Sequence, residues 1–104
     1  MQNEIIFADP ILDTIQPMIE SVEADADVTA GDLYYLDADG APTASSTESD
    51  GEGGTIPTAL WGIAISSATS GSPVSVLYRG DAKNVWGVTA ANVRKLSNVG
   101  VILR

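Results

Sequence analysis

A chain of 104 residues carries 14 Asp plus Glu against 5 Lys plus Arg, and the formal net charge of -9 repels phosphate backbones and anionic lipid headgroups. Neither cysteine nor histidine is present, which removes disulfides, thiolate and imidazole metal ligands, and both Ser-His and Cys-His nucleophile pairs. With 44% hydrophobic residues the chain is too apolar to stay disordered and is long enough for one modest core.

Residues 1–17 read as an N-terminal arm. Ile5, Ile6, Phe7, Ile11, Leu12 and Ile15 are apolar, while Pro10 and Pro17 break any long regular element, so the arm is expected to be extended or irregular. Its first residues lack the basic charge and the uninterrupted apolar run of a signal peptide, and no stretch approaches transmembrane length. The expectation is a protein made and used in the cytosol or in something assembled there, with no nucleic-acid or membrane partner.

Residues 18–104 read as one β domain. Met18 to Ala24 suits an exposed strand, and Gly31 suits the turn that leads into Leu33-Tyr34-Tyr35-Leu36, a strand apolar on both faces and therefore covered by packing or by another subunit. The segment 41–58 contains a polar, acidic, glycine-rich stretch from Ser45 to Gly54 and predicts a mobile surface loop. Next, Trp61, Ile63 and Ile65 alternate with small residues, as do Val74, Val76 and Tyr78, which predicts two strands joined across Ser67–Pro73 as a hairpin or sheet corner. Gly80-Asp81 reads as a turn and Asn84 to Val88 as a short strand. Thr89 can cap a helix through Leu96 with Val93 and Leu96 facing the core, Arg94 and Lys95 favour its C-terminal end, and Val101-Ile102-Leu103 closes the sheet. The sum is a mainly β fold, a small β-clip or β-barrel-like domain with one short C-terminal helix and an extended N-terminal arm.

Few side chains suggest chemistry. Asp37-Ala38-Asp39-Gly40 resembles part of a calcium-hand loop with Glu48 at its twelfth position, but Ala41 and Pro42 stand where a ligand and the glycine belong, and an Asp-Gly turn explains the residues without a metal. Carboxylate pairs such as Asp37 with Asp39 or Glu20 with Glu23 have no cleft to serve, and the serines have no base. The expectation is therefore no enzyme, no cofactor and no metal. Trp61, on the face of Ile63 and Ile65, reads as a core residue, and Trp86, beside glycine in a short strand, as a subunit contact.

Ala30-Gly31-Asp32-Leu33-Tyr34-Tyr35-Leu36-Asp37, then Trp61-Gly62-Ile63-Ala64, then Gly71-Ser72-Pro73-Val74-Ser75-Val76 and Gly80, followed by a short helix and an apolar strand, form a pattern spanning about residues 28 to 104. It resembles tailed-phage capsid decoration proteins of the lambda head-decoration type. The resemblance implies a virion protein made in the host cytoplasm, a homotrimer on the outer surface of the expanded head that clamps neighbouring major capsid subunits. In that setting Ile5, Ile6, Phe7, Pro10, Ile11, Leu12 and Ile15 are the residues of an arm able to add to an exposed strand edge on the shell, or else to pack back on their own domain as an edge strand. A carbohydrate- or ligand-binding β module built on Trp61, Tyr34 or Tyr78, and a virion fibre or spike subunit, are the alternatives.

Overall fold

A computed structural model describes residues 6–7, 17–83 and 88–103. In chain order these form β1 (Ile6–Phe7), β2 (Met18–Glu23), β3 (Leu33–Leu36), β4 (Pro42–Thr43), β5 (Thr47–Ser49), β6 (Thr55–Pro57), β7 (Ala59–Ala64), β8 (Pro73–Lys83), α1 (Ala90–Asn98) and β9 (Val101–Leu103). The fold is mainly β, as the alternating apolar positions require. Its principal sheet is a curled half-barrel with one short C-terminal helix.

The 11-residue β8 is the hub of that sheet. Its first half pairs antiparallel with β2 (Glu20 opposite Val76, Val22 opposite Val74) and with β7 (Ile63 opposite Leu77, Ala64 opposite Val76). Its second half pairs antiparallel with β1, Phe7 opposite Ala82, and parallel with β9, Leu103 opposite the same Ala82. Outward from β7 follow β3 and then β4. The sequence led one to expect a turn at Gly80-Asp81, but the strand runs straight through it. Gly80 sits at φ 112, a backbone conformation open to glycine, and lies within β8 without ending it. Of the short strand expected over Asn84 to Val88, residues 84–87 lie outside the described residues, and Val88 belongs to no strand.

Two hydrophobic clusters lie on the two sides of the sheet. One holds Ile63, Leu77, Ala82, Leu96 and Val101, covered by α1 and β9. The other holds Ala24, Val28, Tyr34, Ala64, Val74 and Val76, with Trp61 packed against it. Adjacent residues of β8, Val76 and Leu77, thus belong to different clusters, as strand alternation demands. The second cluster is closed by stitched turns rather than by a helix. Val28 and Ala68 exchange both backbone bonds (2.8 and 2.9 Å), Ala24 and Gly71 join at 2.7 Å, and Gly31 donates to the Ala64 carbonyl at 2.8 Å.

Trp61 departs from the alternation that placed it with Ile63 and Ile65. Between β3 and β7 the register shifts, Tyr34 opposing Gly62 but Tyr35 opposing Leu60, so Trp61 is the extra residue of a β-bulge and turns to the other side of the sheet. There it is half-buried and stacks on Tyr78 with centroids 5.2 Å apart and planes 16° from parallel. The neighbouring Gly62 is required by space: a Cβ there would lie 2.3 Å from the Leu77 carbonyl oxygen. β3 meets its expectation, with Tyr34 fully buried and Leu33, Tyr35 and Leu36 half-covered.

α1 follows its sequence signals closely. Thr89 caps it, its hydroxyl accepting from Asn92 N–H at 3.2 Å, and Leu96 is its buried residue. Lys95 stands in the last turn, where a cation meets the negative end of the helix dipole.

The largest departure is the acidic segment. In place of an unstructured loop, Thr47–Ser49 and Thr55–Pro57 pair as an antiparallel hairpin, Glu48 opposite Ile56, forming a two-stranded sheet of its own. Threonines and an isoleucine flank the polar tip and supply the β preference that composition alone concealed. Asp50 organises that tip, its Oδ1 accepting from the N–H groups of Glu52 (2.7 Å) and Gly54 (3.0 Å).

Candidate functional surfaces

Three surfaces stand out, each built from a different part of the sheet. The first is an open groove of about 490 Å³ between the 25–27 turn, β3, the start of the hairpin and α1, lined by Asp25, Asp27, Asp32, Tyr35, Ser46 and Asn92. Its carboxylates already have structural work. Asp25 accepts from Thr43 Oγ1 (2.5 Å) and Ala44 N–H (2.9 Å), Asp27 from Ser70 N–H (3.0 Å), and Asp32 from Thr29 N–H (2.9 Å). Partial burial alone would raise the Asp25 carboxyl, but the Thr43 and Ala44 hydrogen bonds outweigh it and hold the group below its ordinary value. Among the described residues the buried Tyr34 hydroxyl nearby has no hydrogen-bond partner. Burial first, and the Asp25 charge second, push its pKa up, so it stays neutral.

Asp37, Asp39 and Glu48, the fragments of a calcium-like loop, are brought near one another, yet through backbone contacts. Asp37 Oδ1 accepts from Asp39 N–H (2.9 Å) and Ala41 N–H (3.0 Å), and Glu48 Oε2 accepts from Ala38 N–H (2.8 Å), which ties the hairpin to the β3–β4 turn. Among the described residues no three acidic side chains are grouped to hold a metal ion.

The second surface is a groove of about 480 Å³ between α1 and β9, lined by Val93, Arg94, Ser97, Asn98, Ile102 and Leu103. Sequence reasoning placed Val93 toward the core. It is half-buried and forms the apolar wall of this groove, with Arg94 exposed beside it.

The third is the outer edge of β2, where Met18 (45%) and Ile19 (41%) are exposed. Among the described residues β2 pairs only with β8, which leaves a row of backbone donors and acceptors on its far side. Of the arm residues singled out in the sequence, Ile6 and Phe7 pair along the end of β8 as β1. Ile5, Pro10, Ile11, Leu12 and Ile15 lie outside the described residues, as does Trp86.

Of the aromatics, Tyr34 is enclosed in a core cluster while Trp61 and Tyr78 cover each other's faces, and none of the three lines either groove. Among the described residues no helix is long and apolar enough to cross a membrane. No family model matches the chain, and no curated protein matches it in sequence.

Proposed function

We propose that the protein is a phage capsid decoration protein that binds the outer surface of an expanded head as a trimer and stabilises it by clamping major capsid subunits. The observation that carries the reading is the placement of the segments on which the resemblance rests. Ala30–Asp37 forms the turn and β3, Trp61–Ala64 lies in β7, and Gly71–Val76 leads into β8, and these three strands lie side by side in the order β3-β7-β8. The scattered sequence pattern is thus one continuous patch of sheet, followed by the short helix and closing strand that the pattern also contains.

The surfaces support adhesion better than catalysis. Groove carboxylates are occupied by backbone N–H groups, while exposed apolar side chains sit on a strand edge, the arrangement by which an extended partner segment adds to a sheet. In this reading the arm residues Pro10, Ile11, Leu12 and Ile15 supply apolar contacts to the shell, with β1 tethering them to β8. Three such arms in a trimer bind with avidity although each is weak alone. The protein works as a virion component rather than as an enzyme.

Co-sedimentation with expanded shells of the cognate major capsid protein tests this. Binding that saturates at a fixed ratio, and that weakens when Ile11, Leu12 and Ile15 are all changed to Ser, is expected. The triple substitution leaves β1 intact, so an equal melting temperature separates lost docking from lost folding. Failure of the unaltered chain to bind shells would overturn the reading and favour a fibre or spike subunit.

A further inference from the structure

The charge of this molecule is divided more sharply than its total suggests. All five Lys and Arg fall at or after Arg79, and in that same segment Asp81 is the one acidic residue. The rest of the chain is therefore wholly anionic. Of the cations, Arg94 and Lys95 are exposed on α1, and Arg79 runs beside its C-terminal turn, its Cγ 3.6 Å from where a Cβ on Gly100 would sit. A field divided in this way favours approach of the cationic region of one copy to the anionic region of another.

The β5–β6 hairpin has the complementary properties. It carries Glu48, Asp50 and Glu52, none of its residues belongs to either core cluster, and Ile56 on its second strand is 42% exposed. A hairpin that adds no residue to either core cluster is nevertheless firmly shaped. Thr58 N–H donates to the Ser46 carbonyl (3.0 Å) and its hydroxyl to the Ser45 carbonyl (2.8 Å), clamping the base, while Asp50 fixes the tip. Ordering made in advance is ordering that association need not supply.

We propose that the α1–β9 groove receives the β5–β6 hairpin of a second copy of this chain, Ile56 seated against Val93, Ile102 and Leu103 and the acidic tip facing Arg94. The contact joins two different surfaces, so it is heterologous, and it closes into a ring when the rotation per step allows and otherwise grows as an open chain. Closure at three rests on the decoration reading; the contact itself does not. The groove supplies what the hairpin lacks, an apolar floor with the cation of Arg94 at its wall.

Sedimentation velocity on the full chain at low and at high salt tests the inference. Self-association is expected at low salt and is expected to weaken as salt screens Arg94. Arg94→Glu or Glu52→Arg should each weaken it by roughly tenfold or more, because each sets like charges face to face. Arg94→Glu with Glu52→Arg in the same chain should restore it, since every contact then again joins opposite charges. Ile56→Ser should weaken it at any salt with no change in melting temperature.

A chain that stays monomeric at every salt concentration would overturn the proposal, as would association indifferent to all of these substitutions. Shell binding by the same variants keeps the two ideas apart. Shells decorated equally by Arg94→Glu and the unaltered chain would leave the decoration reading standing without this contact. Salt-dependent rings that ignore shells would do the reverse.

Discussion

The two sides of the β8 sheet solve the same burial problem with different material. The side under α1 is filled by long aliphatic residues, Ile63, Leu77, Leu96 and Val101, because a dedicated helix stands off the sheet and the space between must be filled. The other side is closed by the sheet's own curl and by turns stitched backbone to backbone, so it has room mainly for Ala24, Val28, Ala64, Val74 and Val76 around a single Tyr34. The first side is limited by how much it can fill and the second by how closely its backbone approaches. Truncation should therefore hurt most under the helix, and enlargement most under the curl.

The largest effect should come from Leu77→Ala, which opens a cavity beneath α1 and is expected to cost about 4 kcal/mol in denaturant unfolding. A loss below about 1 kcal/mol would show that the helix collapses onto the gap and that this side is no tighter than the other. Next, Gly62→Ala drives a Cβ into the Leu77 carbonyl and is expected to lose about 3 kcal/mol, although it adds a single carbon. If circular dichroism melting showed no change, the close crossing of β7 over β8 would be refuted.

Thr89→Ala removes the cap of α1 and should lower stability by about 1 kcal/mol, a test of how much the helix contributes as a lid. Tyr34→Phe should go the other way. Its hydroxyl is buried without a partner among the described residues, so deleting it is expected to leave stability level or raise it by about 1 kcal/mol. A marked fall would mean that the hydroxyl is engaged with Asp25 in solution.

The smallest effect concerns pH. Asp25 has a lowered pKa when folded, so its contribution is complete above the unfolded carboxyl value near 3.9 and is lost as pH falls through the lower folded value. The side chain is exposed, which keeps the effect small. Asp25→Asn should melt slightly below the unaltered chain at pH 6, with the gap closing toward pH 3. A gap that persists in acid would assign the loss to geometry rather than charge.

Much of this architecture is legible in the residues. β3, β7, the first half of β8, α1 with its Thr89 cap, and β9 all follow from alternation, capping and turn chemistry. What escaped has one physical cause in three forms: pairing partners override local signals. The bulge that turns Trp61 to the curl side arises from register between β3 and β7, which no window of β7 alone contains. Gly80-Asp81 reads as a turn until β9 pairs along it and holds it extended. The hairpin at 47–57 is masked in the sequence by its acidic, glycine-rich tip, although Thr47, Thr55 and Ile56 carry β preference. Of the surfaces, the groove beside α1 was approachable from sequence through Val93 and Arg94, whereas the acidic groove needs residues from four separate segments and was not.

The double flanking of Ala82 also has a mechanical meaning. Phe7 and Leu103 face the same residue of β8 from opposite sides, so tension applied between them pulls across two short ladders rather than along the eleven-residue strand. Such a load is expected to part the end beyond Gly80 before the β2–β8–β7 body, because its ladders join two and three residue pairs against the six between β2 and β8.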